Sequence, residues 1–423
     1  MSALLPLVVL LAILGTPLFA VLALIAFMGF ASQHTDSSAV AVNMYLLAQE
    51  PLLIAIPLFT FAGYLLAESS APRRLVTLSR ALLGWMPGGL ALVALVTCAL
   101  FTAFTGASGV TIIAVGGLLL PALLGERYPQ RFAYGLLTTS GSLGLLFPPS
   151  LPIILFGYVA AVSVDKLFVA GLLPGLLLVV VLGLYAARTS LAARVPRQAF
   201  SWAALRAAAR GSVWEIPLPF VVVGGIYTGK ITLTEAASLT AVYVLVAEVL
   251  LYRDIKPRDL PHILTESMVL VGGILVILAA ALALTNYFID AEVPTRLFQW
   301  IQRYIHDRWV FLVLLNVFLL IVGCLMDIFS AILVVVPLIV PVAMRYGVDP
   351  VHLGIIFLTN LEIGYSTPPV GLNLFIASLR FEKPVVRLYQ ACVPFLGLYL
   401  FALVLITYVP GLSLWLVRVL GVR

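Results

Sequence analysis

The chain has 423 residues, 63% of them hydrophobic and 10% charged, with mean hydropathy +1.16. That excludes a soluble globular domain and points to an all-α polytopic membrane protein. The net charge of +6 lacks the interleaved aromatics of a nucleic-acid face, so no nucleic acid is expected as a partner. Basic residues of membrane proteins gather in cytoplasmic loops instead.

In chain order, apolar runs of spanning length fall near 3–30, 46–68, 131–160, 167–187, 213–230, 234–252, 268–288, 351–379 and 388–409, nine crossings in all. Met1 to Phe30 has no basic n-region and is too long for a signal peptide, so it reads as a retained spanning helix. Residues 88–123 and 309–343 are also apolar but interrupted, by Thr105-Gly106-Ala107-Ser108-Gly109 and by Gly323 to Ser330 with Asp327. Each reads either as two plain helices or as one re-entrant hairpin whose tip stops within the membrane. Just before them, residues 72–85 and 294–306 mix arginines with apolar residues, which suits arms lying flat in the interface or ordinary loop helices. With a cytoplasmic N-terminus and both interrupted stretches as hairpins, 16 of the 24 basic residues fall on the cytoplasmic side, as the positive-inside rule asks. The segment 289–308, with three arginines, runs against that bias.

Two runs break helices inside apolar segments: Gly141-Ser142-Leu143-Gly144-Leu145-Leu146-Phe147-Pro148-Pro149-Ser150, and Ile363-Gly364-Tyr365-Ser366-Thr367-Pro368-Pro369-Val370-Gly371. Pro-Pro ends a helix because proline lacks an N–H and clashes with the preceding turn. In lipid the freed backbone groups are tolerable only where they face protein, water or a ligand. The two runs are 220 residues apart, an offset that also pairs Pro121 with Pro341, Thr139 with Thr359 and Pro174 with Pro394. The chain therefore divides into a first unit (1–210) with arm 72–85, hairpin 88–123 and broken helix 131–160, a linker helix (211–233), and a second unit (234–423) with arm 294–306, hairpin 309–343 and broken helix 351–379. Five crossings precede the second unit, so it enters inverted. Inverted repeats with discontinuous helices characterise secondary transporters.

A broken helix offers carbonyls at the end of its first half and free N–H groups at the start of its second. Carbonyls and hydroxyls at Ser142, Gly144, Phe147, Gly364, Ser366 and Thr367 are candidate Na⁺ ligands, completed at the hairpin tips by Gly106 and Ser108 and by Asp327 and Ser330. Close helix packing of small residues is the competing reading for the glycines. The N-termini opening at Ser150 and Val370, with Pro149 and Pro369 suited to first helical positions, are candidate sites for an anionic substrate. Asn373 is placed to line the same cavity. Glu362 is an intramembrane acid open to three roles: binding a cation, carrying a proton, or pairing with an arginine. Glu215 and Glu248 lie nearer segment ends and are expected at the interface. Cys98, Cys324 and Cys392 share no ligand spacing with His34, His262, His306 or His352 and read as buried small hydrophobes. No Walker A motif, hydrolytic triad or redox-cofactor motif is present, so neither an enzyme nor a bound cofactor is expected.

At these residues the chain resembles the large membrane (M) subunit of tripartite ATP-independent periplasmic (TRAP) transporters. The resemblance rests on FTGASGVTIIAVGGLLLPALL, GSLGLLFPPSLPIILFGY, LFVAGLLPG, MDIFSAILVVVPLIVPVA and YGVDPVHLGIIFLTNLEIGYSTPPVGLNLF, in the expected order. At the first tip TGAS stands where the family commonly has a Ser-Gly-Ser-Ser run. The resemblance implies an elevator-type, Na⁺-driven importer of organic acids, including C4-dicarboxylates, in a bacterial or archaeal inner membrane. It implies two partners besides the bilayer: a small four-helix membrane (Q) subunit, expected on a separate chain, and a periplasmic substrate-binding (P) protein. Two other readings compete: a stand-alone proton- or Na⁺-coupled organic-anion carrier, and a channel or membrane-embedded enzyme.

Overall fold

Prolines and glycines set where the helices begin and end in this computed structural model. The structure describes residues 15–33, 38–47, 49–196 and 199–421, and among them there is no strand. The first part of the expected crossing 3–30, together with His34, Arg197 and Arg423, lies outside those residues.

In the first half, α1 (Leu18–Ser32) and α2 (Ser38–Leu47) precede a short turn, Pro51–Ile54, that runs into α3 (Ala55–Glu68). The arm is α4 (Ala71–Leu83), with proline in its first turn. Next come α5 (Gly89–Thr105) and α6, Ser108–Gly125, which are joined at Gly106. There φ is +65°, which glycine adopts without a Cβ penalty. A wide π turn interrupts α6 at Ile112–Gly116. The helices α7 (Gln130–Ser140) and α8 (Leu151–Val159) form the first broken helix, bent by 47°. They are followed by α9 (Val164–Ala192), α10 (Trp202–Gly211) and α11 (Pro217–Tyr227).

The second half contains α12, Leu233–Leu251, α13 (Leu260–Asp290), the arm α14 (Val293–Gln302), α15 (Arg308–Leu325) and α16 (Ile328–Arg345). It ends with α17 (Pro350–Gly364), α18 (Leu372–Phe381), α19 (Val385–Tyr408) and α20 (Gly411–Leu420). Helix boundaries recur at the 220-residue offset: α6 and α16 match at both ends (328 − 108 and 345 − 125), and α4, α5 and α8 fall within two residues of α14, α15 and α18.

Among the described residues eight helices are long and apolar enough to cross a bilayer, or nine if the bent pair α7–α8 is one span. This makes the chain a multi-span helical membrane protein. The set differs from the expected crossings in three places: α6, α15 and α16, within the two interrupted stretches, are each of spanning length, the pair α17 and α18 at 351–379 does not pass as a span, and 213–230 falls short. There α11 has 11 residues, about 16 Å at 1.5 Å per residue, roughly half the hydrocarbon thickness. Pro217 opens it, and Gly229, at φ +66°, follows its end.

The packing is reciprocal. The helix α6 lies on α18 of the other half, and α16 lies on α8. Each incoming limb, α5 or α15, packs on the broken helix of its own half. Phe156 of α8 and Phe357 of α17, both fully buried, meet at 5.6 Å between ring centroids at the seam.

The first arm is pinned by one arginine. Arg74 donates from Nη2 to both carboxylate oxygens of Glu248 at 2.8 Å, and also to Glu215 and Asp254. Its guanidinium lies 3.8 Å over the Tyr252 ring. Glu215 and Glu248, expected at the interface, are instead buried (6% and 1% exposed) because this cation meets them. Burial opposes the charge on Arg74, but the carboxylates of Glu248 and Asp254 outweigh it and raise its pKa. Partial burial likewise opposes ionisation of Asp254, yet hydrogen bonds from Arg74 and Ser70 hold its carboxyl below the usual value. Arg74→Gln leaves three carboxylates without their cation. It is expected to cost roughly 3–5 kcal/mol, read as a lower melting temperature of the purified protein at neutral pH. Because the Asp254 pKa is lowered on folding, its share is present at neutral pH and lost as pH falls through that lowered value. The buried carboxylates left unpaired in the variant take up protons more readily than in the wild type, so the gap should narrow progressively as pH falls from neutral.

Candidate functional site

The first break is closed by its own turns. The Gly141 carbonyl accepts from Thr102 Oγ1 at 2.7 Å, that of Ser142 from Leu145 N at 2.9 Å, that of Gly144 from Phe147 N at 3.0 Å, and that of Phe147 from Ser150 N at 3.1 Å. Each oxygen keeps a second lone pair. Gly144 lies so close to α5 that a Cβ there would overlap Ala99 O and Ala103 N. The ring of Phe147 turns toward Gly175 of α9, so only its backbone faces the break. Gly106, at the tip, lies against Leu151 at the start of α8. Ser108 Oγ donates to Asn373 Oδ1 at 2.7 Å, and Asn373 Nδ2 donates to the Thr138 carbonyl at 3.4 Å. One asparagine thus ties the first tip to both broken helices.

The second break repeats the contact. A Cβ on Gly364 would overlap the Gly323 backbone, and Gly323 stands 220 residues after Ala103 (323 − 103). Asp327 caps α16, accepting from Ser330 N at 3.0 Å. The neighbouring Ile328 N–H donates to Tyr365 Oη at 2.6 Å, which holds the second tip on the break. Thr367 Oγ1 donates to the Ile363 carbonyl at 2.8 Å.

The two breaks meet. Ser142 Oγ lies 3.4 Å from the Glu362 carbonyl, and these positions are themselves 220 apart (362 − 142). Glu362 is 1% exposed, and neither carboxylate oxygen has a hydrogen-bond partner among the described residues. Pairing with an arginine, one of its three open roles, is therefore not realised. The hydroxyls of Ser140, Ser150 and Ser366 are also buried without partners. The openings differ. Pro148, Pro149 and Ser150 are buried, whereas Pro368, Pro369 and Val370 are exposed, Val370 at 41%.

Several residues at the breaks were missed by sequence reasoning. Tyr365 sits within a motif read for its glycines and prolines and Tyr399 within the plain apolar run 388–409, yet their hydroxyls hold the second tip and, at 3.0 Å, the Thr139 carbonyl. Asn316 bonds Asn360 at 2.7 Å and Thr407 at 3.1 Å, joining α15, α17 and α19. A lone amide in the apolar run VLLNVFLL was its available signal. Thr102, which bridges Thr111 (2.6 Å) and the Gly141 carbonyl, gave none.

The family model described as "Tripartite ATP-independent periplasmic transporter, DctM component" matches residues 4–412. The chain belongs to this family. It is 36% identical over 387 residues, 90% of each chain, to a C4-dicarboxylate TRAP transporter large permease protein of Pseudomonas aeruginosa. It is also 36% identical to the protein of that name from Rhodobacter capsulatus, covering 93% of this chain and 92% of that one. An isethionate TRAP transporter permease protein of Oleidesulfovibrio alaskensis is 33% identical over 86% of this chain and 58% of its own length. A solved transporter, Alcanivorax borkumensis YdaH, shares the fold at TM-score 0.59 and 15% identity, covering 89% of this chain and 88% of that one. Membership makes the chain a transport permease, not an enzyme. It implies the inner membrane, with a periplasmic binding protein and a small membrane subunit as partners.

The glycine contacts give a direct comparison. Gly364→Ala forces a Cβ into the Gly323 backbone, which cannot step aside, and should cost about 1–3 kcal/mol. Gly397→Ala, in the middle of α19 with open space around it, should be neutral or slightly stabilising. Thermal unfolding of both variants in one detergent checks the pair.

Proposed function

We propose that the chain is the transmembrane transport subunit of a Na⁺-coupled importer that moves a small organic carboxylate, delivered by the periplasmic binding protein, by elevator-type alternating access. The observation that carries this reading is the reciprocal packing. Where element i of one half touches element j of the other and the reverse pair also touches, the halves are related by a two-fold. The contact of Ser142 with its own offset mate Glu362 supports an axis close to both residues, with 1–210 and 234–423 as the repeats and 211–233 as the linker. The charge bias supports a cytoplasmic N-terminus and re-entrant hairpins; inversion of the repeats requires in addition that 211–233 carry the chain across the bilayer. Because α11 is short, the two-fold contacts support the repeats better than a count of crossings does. Two equivalent breaks, one buried and one open, are what one half of an alternating-access cycle requires.

Within this reading the first Na⁺ is held by oxygens of Gly106, Ser108, Ser142, Gly144 and Phe147. The second is held by those of Asp327, Gly364, Ser366 and Thr367. Hard oxygen ligands in a water-poor pocket suit an alkali cation, and each turn-bonded carbonyl retains a lone pair for it. Ser150 with Pro149, Val370 with Pro369, and Asn373 would line the substrate path. Relatives named for C4-dicarboxylates and for isethionate support a small organic anion, met here by helix N-termini and bound cations. The small four-helix subunit is proposed as a separate chain. The unpartnered carboxylate of Glu362 favours a second reading, in which a proton rather than Na⁺ drives the flux.

Proteoliposomes with the small subunit and the binding protein decide between the two. Uptake should require an inward Na⁺ gradient and the binding protein. Asp327→Asn, which keeps an oxygen for the Ser330 cap but loses the charge, should raise the half-saturating Na⁺ about tenfold, equivalent to about 1.4 kcal/mol, at unchanged melting temperature. Uptake driven by pH alone and abolished in Glu362→Gln would replace Na⁺ with protons. Undiminished Na⁺ affinity in Asp327→Asn would remove the second cation site.

A further inference from the structure

The first hairpin tip is fastened to the opposite half by a bond between two side chains. Ser108 Oγ donates to Asn373 Oδ1 at 2.7 Å, and both residues are buried, at 3% and 0% exposed. The asparagine is itself held from two sides. Its Nδ2 donates to the Thr138 carbonyl at 3.4 Å, and its backbone N–H donates to the Tyr365 carbonyl at 3.0 Å. With Nδ2 turned to a carbonyl, Oδ1 is the atom that faces Ser108, and an amide oxygen can only accept. The Ser108 hydroxyl therefore spends its one proton on Asn373 and keeps both lone pairs for another partner. Ser108 stands at the first break: a Cβ on Gly141 would come within 3.3 Å of its carbonyl oxygen.

The equivalent junction of the second half does without this bond. The 220-residue offset carries Ser108 to Ile328 and Asn373 to Ile153, both buried and apolar. Packing a tip against the far broken helix thus does not call for a hydrogen bond. What separates the two tips is charge. Position 327 is an aspartate, and its offset mate, position 107, is an alanine. A cation site with no carboxylate depends on neutral oxygen dipoles aimed at the ion, so the orientation of each one counts. The tip that lacks the acid is the one whose hydroxyl is aimed.

We infer that Asn373 is the positioning residue of the first cation site. It holds the Ser108 hydroxyl with its lone pairs free for Na⁺. This rests on the Na⁺-coupled reading above and adds a route for the coupling. Asn373 is the second residue of α18, which follows the exposed Pro368, Pro369 and Val370 of the other break. An ion at the first site therefore steadies the start of α18 beside the second opening, and by linkage a steadied α18 favours the ion.

The full chain, purified with its small subunit, is titrated with Na⁺ at constant ionic strength, and the rise in melting temperature gives the half-saturating Na⁺. Asn373→Leu, similar in size but without an acceptor, should raise that concentration about tenfold, as should Ser108→Ala, the scale of one lost hydrogen bond. Ser108→Ala/Asn373→Leu should be no worse than either single variant, because both act through one hydroxyl, whereas Asn373→Leu should add to Asp327→Asn, which acts at the other site. Asn373→Asp keeps an acceptor for the Ser108 proton and should stay within about threefold of wild type. Hydrogen exchange gives a reading that leaves Asn373 untouched: in Asp327→Asn, Na⁺ should slow exchange over 371–381, and adding Ser108→Ala should abolish that protection. A merely structural bond would lower the Na⁺-free melting temperature of Asn373→Leu and leave its half-saturating Na⁺ unchanged, which would overturn the inference. So would additive losses from Ser108→Ala and Asn373→Leu, or protection of 371–381 that survives Ser108→Ala. A wild type whose melting temperature ignores Na⁺ would instead bring down the Na⁺-coupled reading, and this inference with it.

Discussion

The fold depends on one constraint: inside a bilayer every backbone N–H and C=O must find a partner within the protein. Two Pro-Pro pairs interrupt helices at membrane depth, and everything around them meets that demand. Tight turns take the Ser142, Gly144 and Phe147 carbonyls, a threonine hydroxyl takes that of Gly141, and a tyrosine hydroxyl accepts the Ile328 N–H. The hairpins are brought to the breaks by the same need, because only a second backbone lying against Gly144 and Gly364 excludes lipid from them. Small residues at positions 103 and 323 are the consequence, since the approach leaves no room for a larger side chain.

Satisfying the breaks twice, by reciprocal contacts, does not make them alike. The tip near the first break carries Ser108, whose hydroxyl is committed to Asn373. The tip near the second carries Asp327, with only one carboxylate oxygen engaged in its helix cap. The first Pro-Pro is buried and the second exposed. A symmetric scaffold with unequal sites is suited to a cycle in which one side opens while the other stays shut.

Much of this was legible in the sequence, for identifiable reasons. Prolines and glycines act locally, so the breaks at 141–150 and 363–371 and the offset of 220 could be read directly, and helix boundaries recur at that offset. The helix within 213–230 is shorter than its apolar run, because composition counts apolar residues but not the point at which Gly229 stops the helix. The ion cluster at Arg74 was missed for a different reason. Arg74 is more than a hundred residues from each of its carboxylates in the chain, and Glu215 and Glu248 alone looked like interfacial charges. The same holds for Thr102 and Tyr399, ordinary residues made special by what the fold brings opposite them.

The arms show how far the two halves have diverged. Arg74 ties α4 to Glu215, Glu248 and Asp254, two of them buried, so the first arm is clamped by the chain. By the offset, position 294 is a proline, position 28 a methionine and position 34 a histidine where the first cluster has Arg74, Glu248 and Asp254, so the clamp has no counterpart on α14. The second arm is held by aromatic stacking at Tyr346 beside an apolar slot. Apolar contacts are non-directional and tolerate sliding, whereas a multidentate arginine fixes both distance and angle. If one hairpin moves relative to its arm during transport, the physical asymmetry places the freer motion at α14 and the fixed reference at α4.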